Sequence, residues 1–149
     1  MRFLKTAIIA GLLAGTIDIV AACAINAAAP DRVLRAVASG LLGRDAVHGG
    51  SWVVGLGMIL QWLMSILIAA VFLAGAARLP ILRRRWILAG LAYGVVVFFV
   101  MNYVVVPLSA AFFKVHFSPV SFAENMAAML VFGLIVACVA QRGARGVSS

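Results

Sequence analysis

Four long apolar runs separated by short polar connections set the plan of this chain. The runs extend from Thr6 to Ala28, from Ser51 to Gly75, from Trp86 to about Leu108 and from Ser121 to Ala140. A helix rises 1.5 Å per residue, so about 20 apolar residues cover the hydrocarbon of a bilayer. Each run meets or approaches that length. The pattern therefore predicts an all-α membrane protein, a bundle of four transmembrane helices forming one integral membrane domain over residues 1–149.

Helical spacing divides each run into faces. Gly11, Ala14, Gly15, Asp18, Ala21, Ala22 and Asn26 share one side of the first span, where small residues let another backbone approach closely. Gly57, Gln61, Ser65 and Ala69 step by four along the second span, and Gly90, Gly94, Phe98 and Asn102 along the third. Pro107 ends the third, because it removes a donor and disfavours helix at the residue before it. The fourth carries Glu124 and Asn125 near its start and Gly133 midway. Ala10-Gly-Leu-x-x-Gly15 and Ala89-Gly-Leu-x-x-Gly94 echo each other, as two hairpins of equal orientation would in a parallel repeat.

The connections have their own patterns. Pro30 to Gly43 is too short to span and reads as an amphipathic helix at the outer interface, the alternative being an irregular loop. Val33, Leu34, Val37 and Leu41 fall on its apolar side, Arg32 and Arg35 on another, and Gly43 is placed to stop it. Residues 44–50 lead into the second span. Residues 109–119, with Lys114 and His116, form the second outer connection. Residues 78–85 read as a turn, and residues 141–149 as a short polar tail. A basic start before an apolar run also describes a secretory signal, and Val20-Ala-Ala-Cys23 resembles a lipoprotein cleavage site. The run is long for a signal and Asp18 interrupts it, so a retained helix is expected.

Charge orients the bundle. The chain is 66% hydrophobic and only 11% charged, with a net charge of +8. Arg2, Lys5, Arg78, Arg83, Arg84, Arg85, Arg142 and Arg145 occupy the two ends and the central connection, with no acid among them. The other two connections balance Arg32, Arg35, Arg44 and Lys114 against Asp31, Asp45 and Glu124. This is the positive-inside asymmetry, and it predicts a multi-pass protein with both termini cytoplasmic. It also argues against a nucleic-acid partner and for the lipid bilayer, with a second copy or another membrane protein as further partners. Cys23 and Cys138 fall near opposite faces, roughly 20 Å apart by helical rise, too far for a disulfide.

Asp18 is the sharpest chemical feature. An ionised acid at mid-bilayer costs about 2.5–3.5 kcal/mol on insertion scales, so it needs a partner, water or a proton. Gln61 lies at nearly the same depth on a similar small-residue face and is the expected hydrogen-bond partner. Asp18 then either relays a proton or cation, or locks two helices together. Asn26, Asn102, Tyr103, Glu124 and Asn125 reach similar outer depths and, with His48 and His116, would line an outer polar funnel. No HxxxH or HxxE spacing supports a metal site, and no P-loop, GxGxxG, CxxC or Ser-His-Asp set implies a cofactor or a familiar catalytic centre. Three function classes remain. They are an accessory or scaffolding protein packing with partner helices, a proton- or cation-linked permeation unit using Asp18, and an enzyme on a lipid-soluble substrate.

Gly15-Thr-Ile-Asp-Ile19, Ala38-Ser-Gly-Leu-Leu-Gly43 and Met101-Asn-Tyr-Val-Val-Val-Pro-Leu-Ser109 resemble stretches of small four-span bacterial membrane proteins such as the YagU-like inner-membrane proteins. The resemblance implies a bacterial inner membrane and brings no catalytic residues with it.

The charge split yields a direct test. Cysteines at positions 84 and 116, in a cysteine-free background, are expected to react with impermeant reagent from opposite sides of the membrane. Reaction of both from one side would remove the proposed orientation.

Overall fold

The computed structural model describes residues 2–26, 29–105 and 119–145. These form helices α1 (Arg2–Asn26), α2 (Pro30–Leu42), α3 (Asp45–His48), α4 (Ser51–Arg78), α5 (Pro80–Arg84), α6 (Trp86–Val100) and α7 (Pro119–Arg145). A π-helical turn, Met101–Val105, continues α6. No strand occurs among the described residues. Phe3–Ile25, Ser51–Arg78, Trp86–Val105 and Phe122–Gly143 are each long and apolar enough to cross a bilayer. Their outward positions carry large exposed apolar side chains at helical spacing, such as Ile9, Leu13 and Ile17 on α1 and Ile59, Leu63 and Leu67 on α4. Such a surface suits lipid and not water. The chain is a multi-pass membrane protein built as an all-α four-helix bundle.

The spanning helices meet mainly as α4 on α1, α1 on α7 and α7 on α6. Small residues set these contacts. A Cβ at Gly11 would lie 2.5 Å from the Ile66 backbone, and one at Gly15 would lie 2.5 Å from Ser65 Oγ. At the other interface a Cβ on Gly94 would lie 2.5 Å from the Met129 carbonyl oxygen, and one on Gly90 would lie 2.9 Å from that of Gly133. The two Ala-Gly-Leu-x-x-Gly segments thus do the same work, each seating the first helix of its hairpin on the second. The likeness stops at the hairpin. Between α4 and α6 the contact is a side chain: Tyr93 Oη donates to the Ile68 carbonyl at 2.6 Å, and its ring lies 5.0 Å from that of Phe72.

The main core lies toward the arginine end, where Ala7, Ala10, Ala14, Ala69, Phe72, Leu73, Ala76, Phe132, Val136, Ala137 and Ala140 are buried together. A smaller cluster of Ala38, Ala46 and Val53 lies toward the other end. It exists because α2 packs on α4, so closely that the Leu34 carbonyl fills the space a side chain at Gly57 would need.

Several local expectations are corrected. The buried side of α2 is Leu34, Ala38 and Ser39, whereas Leu41 is 62% exposed. Close backbone approach at Gly57 selects the side of α2 that passes its backbone nearest α4, not the side with the most side-chain volume. Arg35 is drawn inward as well, donating to the carbonyls of Gly49 and Ala46 and so tying α2 to the α3–α4 connection. The stop at Gly43 holds: φ is 68°, and its N–H bonds the Ser39 carbonyl at 2.8 Å. Residues 44–50 and 78–85, read as connections, each contain a short helix. The supposed tail is helical to Arg145, since α7 continues alongside α1, where a Cβ on Gly143 would lie 3.0 Å from Thr6.

Substitutions at glycines separate packing from propensity. Gly15→Leu and Gly94→Leu force backbones apart and are expected to destabilise the bundle in detergent by about 1–3 kcal/mol each. A Cβ at Gly55 would meet nothing within 4 Å, and Gly55→Leu is expected to be neutral or mildly stabilising. Equal effects at all three positions would show that these contacts do not hold the bundle.

Candidate functional site

Asp18 sits on α1 four residues beyond Ala14 and three beyond Gly15, whose missing side chain lets Ser65 of α4 come close. The close approach at Gly15 brings the two polar side chains within reach, and Gln61 Nε2 donates to Asp18 Oδ2 at 2.9 Å. Neighbouring polar groups satisfy themselves locally. Ser65 Oγ donates to the Gln61 carbonyl at 2.8 Å, and Thr16 Oγ1 donates to the Leu12 carbonyl at 2.7 Å. Trp62 Nε1 reaches Thr16 Oγ1 at 3.4 Å. Around Asp18, therefore, α1 and α4 are joined by hydrogen bonds as well as by close packing.

Asp18 has a second aspect. It also lines a cleft of about 290 Å³ between the halves of α1 and α7 remote from the arginine end, with Ala14, Ile17, Ala21, Ala24, Ile25, Glu124, Ala127, Ala128, Val131 and Phe132. One carboxyl oxygen is held by Gln61. The other makes no hydrogen bond to a described residue, and among the described residues no enclosed side-chain polar atom lacks a partner. Asp18 thus borders both the α1/α4 contact and the cleft. Asp18 lies about 12 Å from the end of α1 by helical rise, while Glu124 is exposed near the start of α7. Two acidic residues thus border one small, otherwise apolar cleft at different depths. Toward the arginine end the cleft closes where the buried alanines of α1 meet Phe132 and Val136. No basic residue occurs within residues 6–28, 51–77, 86–111 or 121–140, so the spans supply no counter-charge.

The other residues expected near the outer end do not gather into one funnel. His48 is exposed on α3, beside α2. Asn102 turns back on its own helix, donating to the Phe98 carbonyl at 2.8 Å where the ladder widens into the π turn. Tyr103 is 58% exposed and stacks on Phe99 at 5.7 Å. Asn125 is half-buried and already has a partner. The side chain of Asn26, and His116 and Lys114 altogether, lie outside the described residues. Glu124 is the one described member of that set which the fold brings to the same cleft as Asp18. Sequence spacing missed their common cleft because it depends on how α1 crosses α7, which a face assignment on either helix alone does not contain.

The Asp18–Gln61 contact makes a sharp energetic prediction. Asp18→Asn keeps an acceptor for Gln61 and is expected to unfold within about 1 kcal/mol of the parent. Asp18→Leu strands a buried amide and is expected to cost about 1–3 kcal/mol, most of it recovered in Asp18→Leu/Gln61→Leu. Thermal unfolding in detergent reads the parent and its variants alike, and additive losses would mean the two side chains do not act on each other.

Compared with known protein families, with curated proteins and with solved structures, the chain matches none.

Proposed function

We propose that this protein is an accessory or scaffolding protein whose α1/α7 cleft receives a partner's transmembrane helix, with a basic side chain of that helix reaching Asp18. The observation that carries this reading is the place of Asp18 in the lining of an apolar cleft that has alanines on both walls. An acid at that depth demands a polar or cationic neighbour. The spans provide no base, and a lipid tail provides none either. Small residues on both walls let another helix come close. Size favours the same reading. At about 290 Å³ the cleft falls at the lower edge of ligand-pocket volumes, enough for one or two side chains and small for a lipid-soluble substrate.

A second reading, proton- or cation-linked permeation, is favoured by one observation, the sharing of the cleft by Glu124 and Asp18. The pair would pass a proton from the rim to mid-depth. The closed, alanine-packed half beyond Asp18 weighs against it. A bacterial inner membrane, with α5 and both termini in the cytoplasm, is supported by the charge asymmetry and by the resemblance to small four-span bacterial proteins.

Photo-crosslinking in the native membrane distinguishes the two readings. A probe at Ala24 or Ala127 is expected to capture a transmembrane segment bearing Lys or Arg at mid-depth, and a probe at Leu63 on the lipid face is not. Capture should be lost in Asp18→Leu and kept in Asp18→Glu. Capture that is indifferent to Asp18, or proton flux in reconstituted vesicles abolished by Asp18→Asn, would replace the accessory reading with another.

A further inference from the structure

We infer that the α5 connection is a binding site for the headgroup of an anionic phospholipid. This site is separate from the α1/α7 cleft and does not depend on what occupies it. Leu79 and Arg85 break the helix on either side of α5, and three backbone bonds close the turns: Leu79 N–H to the Gly75 carbonyl at 2.8 Å, Arg85 N–H to that of Ile81 at 2.9 Å and Ala89 N–H to that of Arg85 at 2.9 Å. Leu82 points inward and packs on the main core, which fixes the rotation of the short helix. That rotation turns Leu79 and Ile81 outward, 55% and 58% exposed, together with Arg83, Arg84 and Arg85. Pro80, Ile81, Arg84 and Arg85 line an open surface cleft of about 490 Å³.

Among the described residues nothing neutralises these arginines. The chain has four acidic residues, Asp18, Asp31, Asp45 and Glu124, and none lies at this end of the bundle. Antiparallel packing adds Lys5 and Arg142 to the same end, since Thr6 meets Gly143 there. The counter-charge must come from outside. Depth identifies its source. α4 ends at Arg78 and α6 begins at Trp86, an aromatic residue of the kind favoured at headgroup level. A site at that depth with an apolar wall of Pro80 and Ile81 and two guanidinium groups matches an amphiphile with a phosphodiester. Guanidinium groups bind phosphate in a bidentate fashion that an ammonium does not reproduce.

The test is native mass spectrometry of the full-length protein in detergent, titrated with dioleoyl phosphatidylglycerol or dioleoyl phosphatidylcholine. The protein is expected to retain one phosphatidylglycerol preferentially. R84Q/R85Q is expected to weaken that retention by roughly tenfold or more, because each basic side chain at an anionic surface strengthens binding by roughly fivefold. K5Q/R142Q removes the same charge away from the cleft and is expected to change retention less than about twofold, the loss expected of a diffuse field being larger. R84K/R85K should fall between, and Ile81→Gln should weaken retention with the charge untouched. Excess sn-glycerol 3-phosphate should not displace the lipid. Equal weakening by the two glutamine pairs would reduce the effect to general charge and overturn the site. Displacement by the soluble phosphate, or no preference over phosphatidylcholine, would overturn it as well. Should R84Q/R85Q fold poorly, the lysine pair and Ile81→Gln decide the question by the same readout.

Discussion

Backbone proximity is the constraint from which most of this structure follows. Lipid tails are as apolar as leucine, so burying an apolar face against another helix gains little of the hydrophobic effect that drives soluble folding. What remains is dispersion at short range and the few polar contacts that short range permits. Gly11 and Gly15 bring α1 onto α4; Gly90 and Gly94, with Gly133 opposite, bring α6 onto α7. The dominance of alanine among the buried residues is the same requirement repeated at lower stringency. Larger side chains go outward, where lipid accepts them at no cost.

Polar chemistry in the bundle depends on that proximity. A 2.9 Å bond between Asp18 and Gln61 requires the two helix axes to be close, and the approach at Gly15, three residues earlier, provides it. Tyr93 solves the opposite case. Between α4 and α6 the helices stand apart, and a long side chain with a terminal hydroxyl spans the gap to the Ile68 carbonyl. One interface is joined by removing side chains, the other by extending one.

Much of this was legible in the sequence, and the parts that were not have a common physical origin. Span lengths follow from apolar runs, because a bilayer fixes how many residues a helix needs. The Asp18–Gln61 pair could be read from depth and from the small residues around each, two quantities local to single helices. The buried face of α2 could not, because Leu34 and Ala38 were selected by Gly57 on another helix. The same holds for Arg35, which spacing places off the apolar side and which instead binds the Gly49 carbonyl, and for Glu124, which shares a cleft with Asp18 through the crossing of α1 and α7. The short helices α3 and α5 escaped because runs of four and five residues carry no usable periodicity. Pro80 at the first position of α5 was the available signal.

The two ends of the bundle differ in kind, and the difference bears on what the protein can do. At the arginine end α1, α4 and α7 are packed around one core, and α5 is pinned to it by Leu82, so the charged surface there is held on a rigid base. Toward the other end α1 and α7 leave a cleft between them, α2 packs on α4 alone among the spans to any large extent, and α6 passes into a π turn. A smaller buried core means lower local stability, which is where elements that move on binding are found. A partner helix entering the cleft would therefore meet the yielding half of the bundle while the basic end held its position in the headgroups. Asp18 stands where the two halves join. Its Gln61 bond belongs to the packed pair of α1 and α4, and the same residue lines the cleft. A change on the cleft side that drew the carboxylate away would be felt at Gln61 and hence along α4. Coupling of that kind needs no longer route than one side chain with two neighbours.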